Sequence, residues 1–114
     1  MQGRMTIAVA AIAILAGATM TAATAADVKT YEITLNAEAF SPQQIKAKAG
    51  EPFRIKLHND TQLPVELESA ALGFEKIVES GHDIVVNVRP QSPGTYDFFD
   101  DFHPKQYVGH VVVE

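Results

Sequence analysis

The sequence predicts an all-β domain, an antiparallel two-sheet sandwich with Greek-key connections. From Asp27 onward apolar residues alternate with polar ones, β-branched and aromatic residues gather in short runs, and Pro or Gly breaks those runs at intervals of about ten residues. No segment sustains a helical period, although Ser69 to Phe74 has room for one turn. About eight strands at that spacing suit a sandwich. The Cys-Trp-Cys framework of immunoglobulin domains is absent, because the chain has neither Cys nor Trp.

The elements follow in order. Tyr31, Ile33 and Leu35 alternate with polar residues in a first strand, and Ser41-Pro42 interrupts the pattern, since Pro has no N–H to give a ladder. Ile45 to Ala49 makes a second short run that stops at Gly50. Phe53, Ile55 and Leu57 form the third, ending at His58-Asn59-Asp60. Val65 and Leu67 mark a fourth, Phe74 to Val78 a fifth, and Ile84, Val86 and Val88 a sixth. Pro93-Gly94 turns the chain into Tyr96, Phe98 and Asp100, and Val108 to Val113 closes the fold.

Residues 1–26 read as a secretory signal peptide. Arg4 supplies a positive n-region, Ile7 to Ala16 an apolar core, and Ala22 to Ala26 a small-residue cleavage region, with cleavage expected after Ala25 or Ala26. The alternative is an uncleaved N-terminal anchor. Cleavage leaves residues 27–114 as one domain, released into an exported compartment, most simply a bacterial periplasm, with no stable membrane insertion. Without Arg4 the nine basic residues become eight against fourteen acidic ones. This balance disfavours nucleic-acid or anionic-membrane partners and favours cations. The three Met residues all lie in the leader and Cys is absent, so the domain carries no sulfur. Disulfides, a cysteine nucleophile and a thiolate-copper centre are thereby excluded. A Ser-His-Asp motif and a glycine-rich phosphate loop are also lacking.

The chemistry concentrates near the C-terminus, in Tyr96-Asp97-Phe98-Phe99-Asp100-Asp101-Phe102-His103-Pro104-Lys105-Gln106. If Tyr96 and Phe98 face the core, Asp100 also points inward at the strand end, where a carboxylate is costly unless it meets a cation or donors. Asp101 falls on the opposite parity and His103 follows in the same loop. These residues suit ligands converging from one loop, or else a solvated acidic turn. Upstream, Glu66 and Glu68 share one face of a strand at i and i+2 and suit delivery of two carboxylates to one ion, or else an outward polar face. The histidines His58, His82 and His110 fall at outward or hairpin positions and read as solvated, as do Glu75 and Glu79.

This C-terminal order resembles the metal-binding end of cupredoxins, in which Tyr-x-Phe-x-Cys-x-x-His-x-x-Met supplies copper ligands. Here Asp100 holds the Cys place, His103 the His place and Gln106 the Met place. Aligning Pro64 with the Pro of the family's Pro-His pair puts Val65 in the second His place, and a one-residue slip would bring Glu66 there. Oxygen donors in place of sulfur shift metal preference toward harder ions. Asn59-Asp60-Thr61, Glu66-x-Glu68, Pro93-Gly94-Thr95-Tyr96 and Asp100-Asp101-Phe102-His103 together look like the cupredoxin-like domains of bacterial periplasmic iron-uptake systems of the EfeO and Ftr type.

The resemblance implies a cupredoxin-like Greek-key antiparallel β-sandwich over residues 27–114. It further implies a periplasmic protein that binds iron through Glu66, Glu68, Asp100, Asp101 and His103. Its partners would be an iron-transport-family membrane permease and a periplasmic metal-binding protein, and accessory ferroxidase-like activity on Fe(II) is compatible with that setting. Two alternatives stay open. One is a type-2-like copper protein or electron carrier using His103 with His58 or His82; the other is a metal-free interaction module.

Overall fold

The structure, a computed structural model, describes residues 28–114, and of the first 27 residues only Gly3 and Gly17. The proposed signal peptide therefore lies almost wholly outside the described residues. No helix among those residues is long and apolar enough to cross a membrane.

The described residues form nine strands: β1 (Lys29–Leu35), β2 (Phe40–Ser41), β3 (Gln44–Ala47), β4 (Phe53–Asn59), β5 (Val65–Ser69), β6 (Phe74–Val78), β7 (Asp83–Val88), β8 (Gly94–Asp100) and β9 (Val108–Val113). They form a four-stranded sheet in the order β2-β1-β4-β7 and a five-stranded sheet in the order β3-β9-β8-β5-β6. The short β2 has no periodic signal of its own and exists by pairing with the end of β1, Leu35 against Phe40. Between β5 and β6 the chain makes a single turn in which Gly73 N donates to Ser69 O at 2.8 Å.

The sandwich is not wholly antiparallel, because β1–β4 and β3–β9 are parallel ladders. The reason lies in the crossover. After β2 the chain enters the second sheet, and β3 carries it back to the end where β1 began, so β4 must run alongside β1 in the same direction. All other ladders are antiparallel.

The inward side chains predicted by alternation form the core, with Ile33, Leu35, Ile55, Leu57, Val65, Leu67, Phe98 and Val111 all 1 % exposed or less. Gly109 has a specific place in it. A Cβ there would lie 2.2 Å from the Phe98 ring, so only glycine lets β9 cross that ring. At the far end of β4, Asn59 is fully buried, and its amide donates to Leu63 O (2.8 Å) and Val78 O (2.9 Å). Its Oδ1 accepts from Thr61 N (3.0 Å) and the Thr61 hydroxyl (2.6 Å), which fixes the loop leading into β5.

Candidate metal centre

The ladder between β5 and β8 sorts the sequence-predicted ligands into two groups. Leu67 pairs with Asp100 and Glu68 with Phe99, so Leu67 and Asp100 face the core while Glu66 and Glu68 face outward. Asp101 follows on the outward side, held by its N–H donating to Glu66 O at 2.8 Å. Carboxylate oxygens of Glu66, Glu68 and Asp101 all lie within 4.8 Å of one another. Asp100 and His103 form a separate pair behind them. No slip or bulge carries Glu66 inward, because Val65 and Leu67 take the core positions at 1 % exposure each.

The outward cluster is electrostatically crowded. Glu66 is only 9 % exposed, and among the described residues its carboxylate accepts no hydrogen bond from an N–H or hydroxyl donor. The adjacent Glu75 carboxyl, burial, and the charges of Glu75, Asp101 and Glu68 together push the Glu66 carboxyl up to about 7 from 4.5. Glu68 is raised as well, by burial first and then by Asp101 and Glu75. Carboxylates this close favour either a proton or a cation between them.

Asp100 has the opposite character. It is fully buried, and Oδ1 accepts from Glu66 N at 2.9 Å and Phe102 N at 3.1 Å. Oδ2 lies 2.9 Å from His103 Nδ1, which must donate to a carboxylate and so leaves Nε2 as the acceptor. One buried carboxylate thus ties together the two segments that carry Glu66 and Asp101. His103 is part of an apolar-lined cleft of about 300 Å³ with Leu63, Val65, Gln106 and Tyr107 among its walls. Gln106 donates Nε2 to the Tyr107 hydroxyl (3.0 Å), which in turn donates to Ala37 O (2.8 Å).

Several polar residues take roles that strand patterns do not reveal. His58 and His110 are outward, as alternation places them, but each is paired with a carboxylate on the neighbouring strand: His58 Nδ1 to Asp83 at 2.5 Å and His110 Nδ1 to Asp97 at 2.7 Å. The hydrogen bond with His58 is the first cause of the lowered Asp83 carboxyl. His82 Nδ1 instead lies 3.0 Å from Ser80 O. Glu75, read from sequence as simple surface charge, stands opposite Glu68 across the β5–β6 ladder. Only the strand register discloses these pairs, and one chain's periodicity does not encode register.

Two mixed sheets closed by a Tyr-x-Phe strand, a ligand-place loop and a Gly-bearing final strand define a cupredoxin-type sandwich. A family model for the cupredoxin-like domain matches residues 6–113, and the chain belongs to that family. An uncharacterised protein of Rickettsia prowazekii (strain Madrid E) is 32% identical over 82 residues, which make up 72% of this chain and 66% of that protein. This chain therefore spans just under two thirds of that relative's length.

Among solved structures, the metal-binding domain of the Cu(I)-exporting P-type ATPase CopA of Streptococcus pneumoniae D39, with Cu(I), is similar at a TM-score of 0.67 and 21% identity, over 75% of this chain and 84% of that one. A purple cupredoxin from Nitrosopumilus maritimus gives 0.56 and 20%, over 73% and 98%. Auracyanin A, a blue copper protein of Chloroflexus aurantiacus, gives 0.63 and 15%, over 75% and 98%. Identities this low establish the shared fold.

The residues at the family's copper position do not fit a sulfur-ligated copper centre. Asp100 is engaged by three donors, Gln106 by Tyr107, and Val65 is packed in the core. Only the His103 imidazole retains a free nitrogen there, and one nitrogen is too few to make a blue-copper site.

Proposed function

We propose that this protein binds a hard cation, iron in preference to copper, through Glu66, Glu68 and Asp101 on the outer face of the five-stranded sheet. In this reading it is an exported, periplasmic metal-binding protein of an iron-uptake system that hands its cargo toward a membrane permease. The observation that carries the metal reading is the convergence of Glu66, Glu68 and Asp101, whose carboxylate oxygens all lie within 4.8 Å of one another. All-oxygen donor sets favour hard ions, and Fe(III) over Fe(II), the direction needed to assist ferrous oxidation. The iron-uptake assignment draws on the likeness of the Glu66-x-Glu68 and Asp100-Asp101-Phe102-His103 segments to those systems.

Metal analysis of protein isolated from the periplasm, followed by titration of the metal-free protein with Fe(II), Fe(III)-citrate and Cu(II), tests this reading. Iron should be retained, and Glu68→Gln should weaken it by at least about tenfold, the scale of one lost charge-assisted contact. Copper retained in preference to iron, with nitrogen hyperfine splitting from His103, would instead favour the type-2 copper alternative. A protein that retains neither metal would leave the interaction-module alternative.

A further inference from the structure

We propose that the cleft beside His103 is a binding site for a small, mostly apolar molecule that carries one N–H or O–H donor. Glu66, Glu68 and Asp101 do not line this cleft, so it is independent of the metal reading above. Its volume is about 300 Å³, at the lower end of small-molecule sites, and Ala37, Leu63, Val65 and Tyr107 give it apolar walls. Buried Asn59 accepts from Thr61 N and donates to Leu63 O, which fixes the loop carrying those two wall residues. The cleft is therefore formed by the fold before any ligand arrives.

His103 supplies the polar half of the site. Asp100 is fully buried behind it and Oδ2 takes the Nδ1 proton at 2.9 Å, so the ring presents Nε2 as an acceptor on its other side. The ring also meets Tyr107 edge to face, with centroids 5.8 Å apart, which restricts its rotation. Orientation and tautomer are thus both set from inside the fold. Other polar groups of the walls are engaged: Tyr107 donates to Ala37 O, Gln106 Nε2 to the Tyr107 hydroxyl, and the Thr61 hydroxyl to Asn59 Oδ1. Among the described hydrogen bonds Nε2 has no partner, which leaves it as the acceptor for an incoming donor. An apolar cleft built around one placed acceptor selects a ligand by apolar area and by one donor, and disfavours an isostere that lacks the donor.

Indole and benzofuran test the assignment, because they share a shape and only indole has an N–H. Both are titrated into the exported protein at mildly alkaline pH, where an imidazole is neutral, and followed by amide and His103 nitrogen chemical shifts. Indole should bind at least about fivefold tighter than benzofuran, the scale of one neutral hydrogen bond, with shifts centred on Leu63, Val65, His103 and Tyr107. Asp100→Asn turns the tautomer round, so Nε2 carries the proton and indole should fall to the level of benzofuran. Leu63→Ala removes apolar wall without touching the acceptor and should weaken both probes about equally. Leu63 is exposed, so this variant keeps the fold, and a thermal melt checks it. Equal affinities of the wild type for the two probes overturn the donor-selective site, as does an Asp100→Asn protein that still prefers indole. Binding of neither probe up to its solubility overturns the cleft as a ligand site altogether.

Discussion

Replacing Asp100 by Ala should be among the most damaging single changes outside the apolar core. The structure shows what is left behind: Glu66 N buried with no acceptor, Phe102 N partly buried with none, and His103 Nδ1 without its partner. An unsatisfied buried donor costs about 1–3 kcal/mol and the partly buried ones less, so the sum is about 3–5 kcal/mol. A domain of this size gains or loses about 4–8 °C per kcal/mol, which puts the loss at roughly 15–30 °C in melting temperature.

Asp100→Asn is the informative companion. Its Oδ1 can still accept from both backbone N–H groups, while its Nδ2 faces His103 Nδ1 and forces the proton to Nε2. The cost should be only about 1 kcal/mol, with the imidazole tautomer inverted. Thermal melts of both variants, with nitrogen chemical shifts of His103, measure the two effects. The reasoning is refuted if Asp100→Ala melts within about 3 °C of the wild type, a shift below 1 kcal/mol, or if the His103 tautomer is the same in the Asn variant.

Three further outcomes are expected. Gly109→Ala drives a methyl into the Phe98 ring and toward Gln43 O at 3.0 Å, and should cost roughly 3 kcal/mol or fail to fold, with Phe98→Leu partly rescuing it in a denaturant melt. Asn59→Ala removes the amide donor to Val78 O and the acceptor of Thr61 N and should cost about 3 kcal/mol, while Asn59→Asp should be worse at neutral pH and recover on acidification. Because the Glu66 carboxyl is raised from 4.5 to about 7, the folded protein holds more protons than the unfolded chain in that window. The Glu66 contribution to the stability of the metal-free protein should therefore be fully present below pH 4.5 and lost as pH rises through about 7; Glu66→Gln should remove this component, and bound iron should reverse it, all read from melting temperature against pH.

The sandwich was legible because Ile33, Ile55, Val86 and Val111 lie on strict alternations that have only one buried face available. Asp100 was legible as inward for the same reason, from Tyr96 and Phe98 four and two residues before it. What it meets there was not, since the donors Glu66 N and His103 Nδ1 come from a strand partner and a turn. Glu66 and Glu68 were visible as a same-face pair, and Asp101 as opposite in parity to Asp100. That these three meet while Asp100 stays behind depends on the Leu67–Asp100 register, and Glu75 enters only through the Glu68–Glu75 register. The parallel ladders escaped notice because strand direction follows from where the crossover returns, not from any residue's preference.

The position of β9 in the middle of its sheet bears on how the chain reaches this state. The last strand lies between β3 and β8 and contributes the buried Val111 and Val113, pairing residues 44–47 with 110–113 across most of the domain. Loop closure over that span must precede any gain from the contact, so collapse is slow and late. Until β9 pairs, β3 and the β8-β5-β6 ladder each present an open edge, and loss of this one strand would leave two open templates for aggregation.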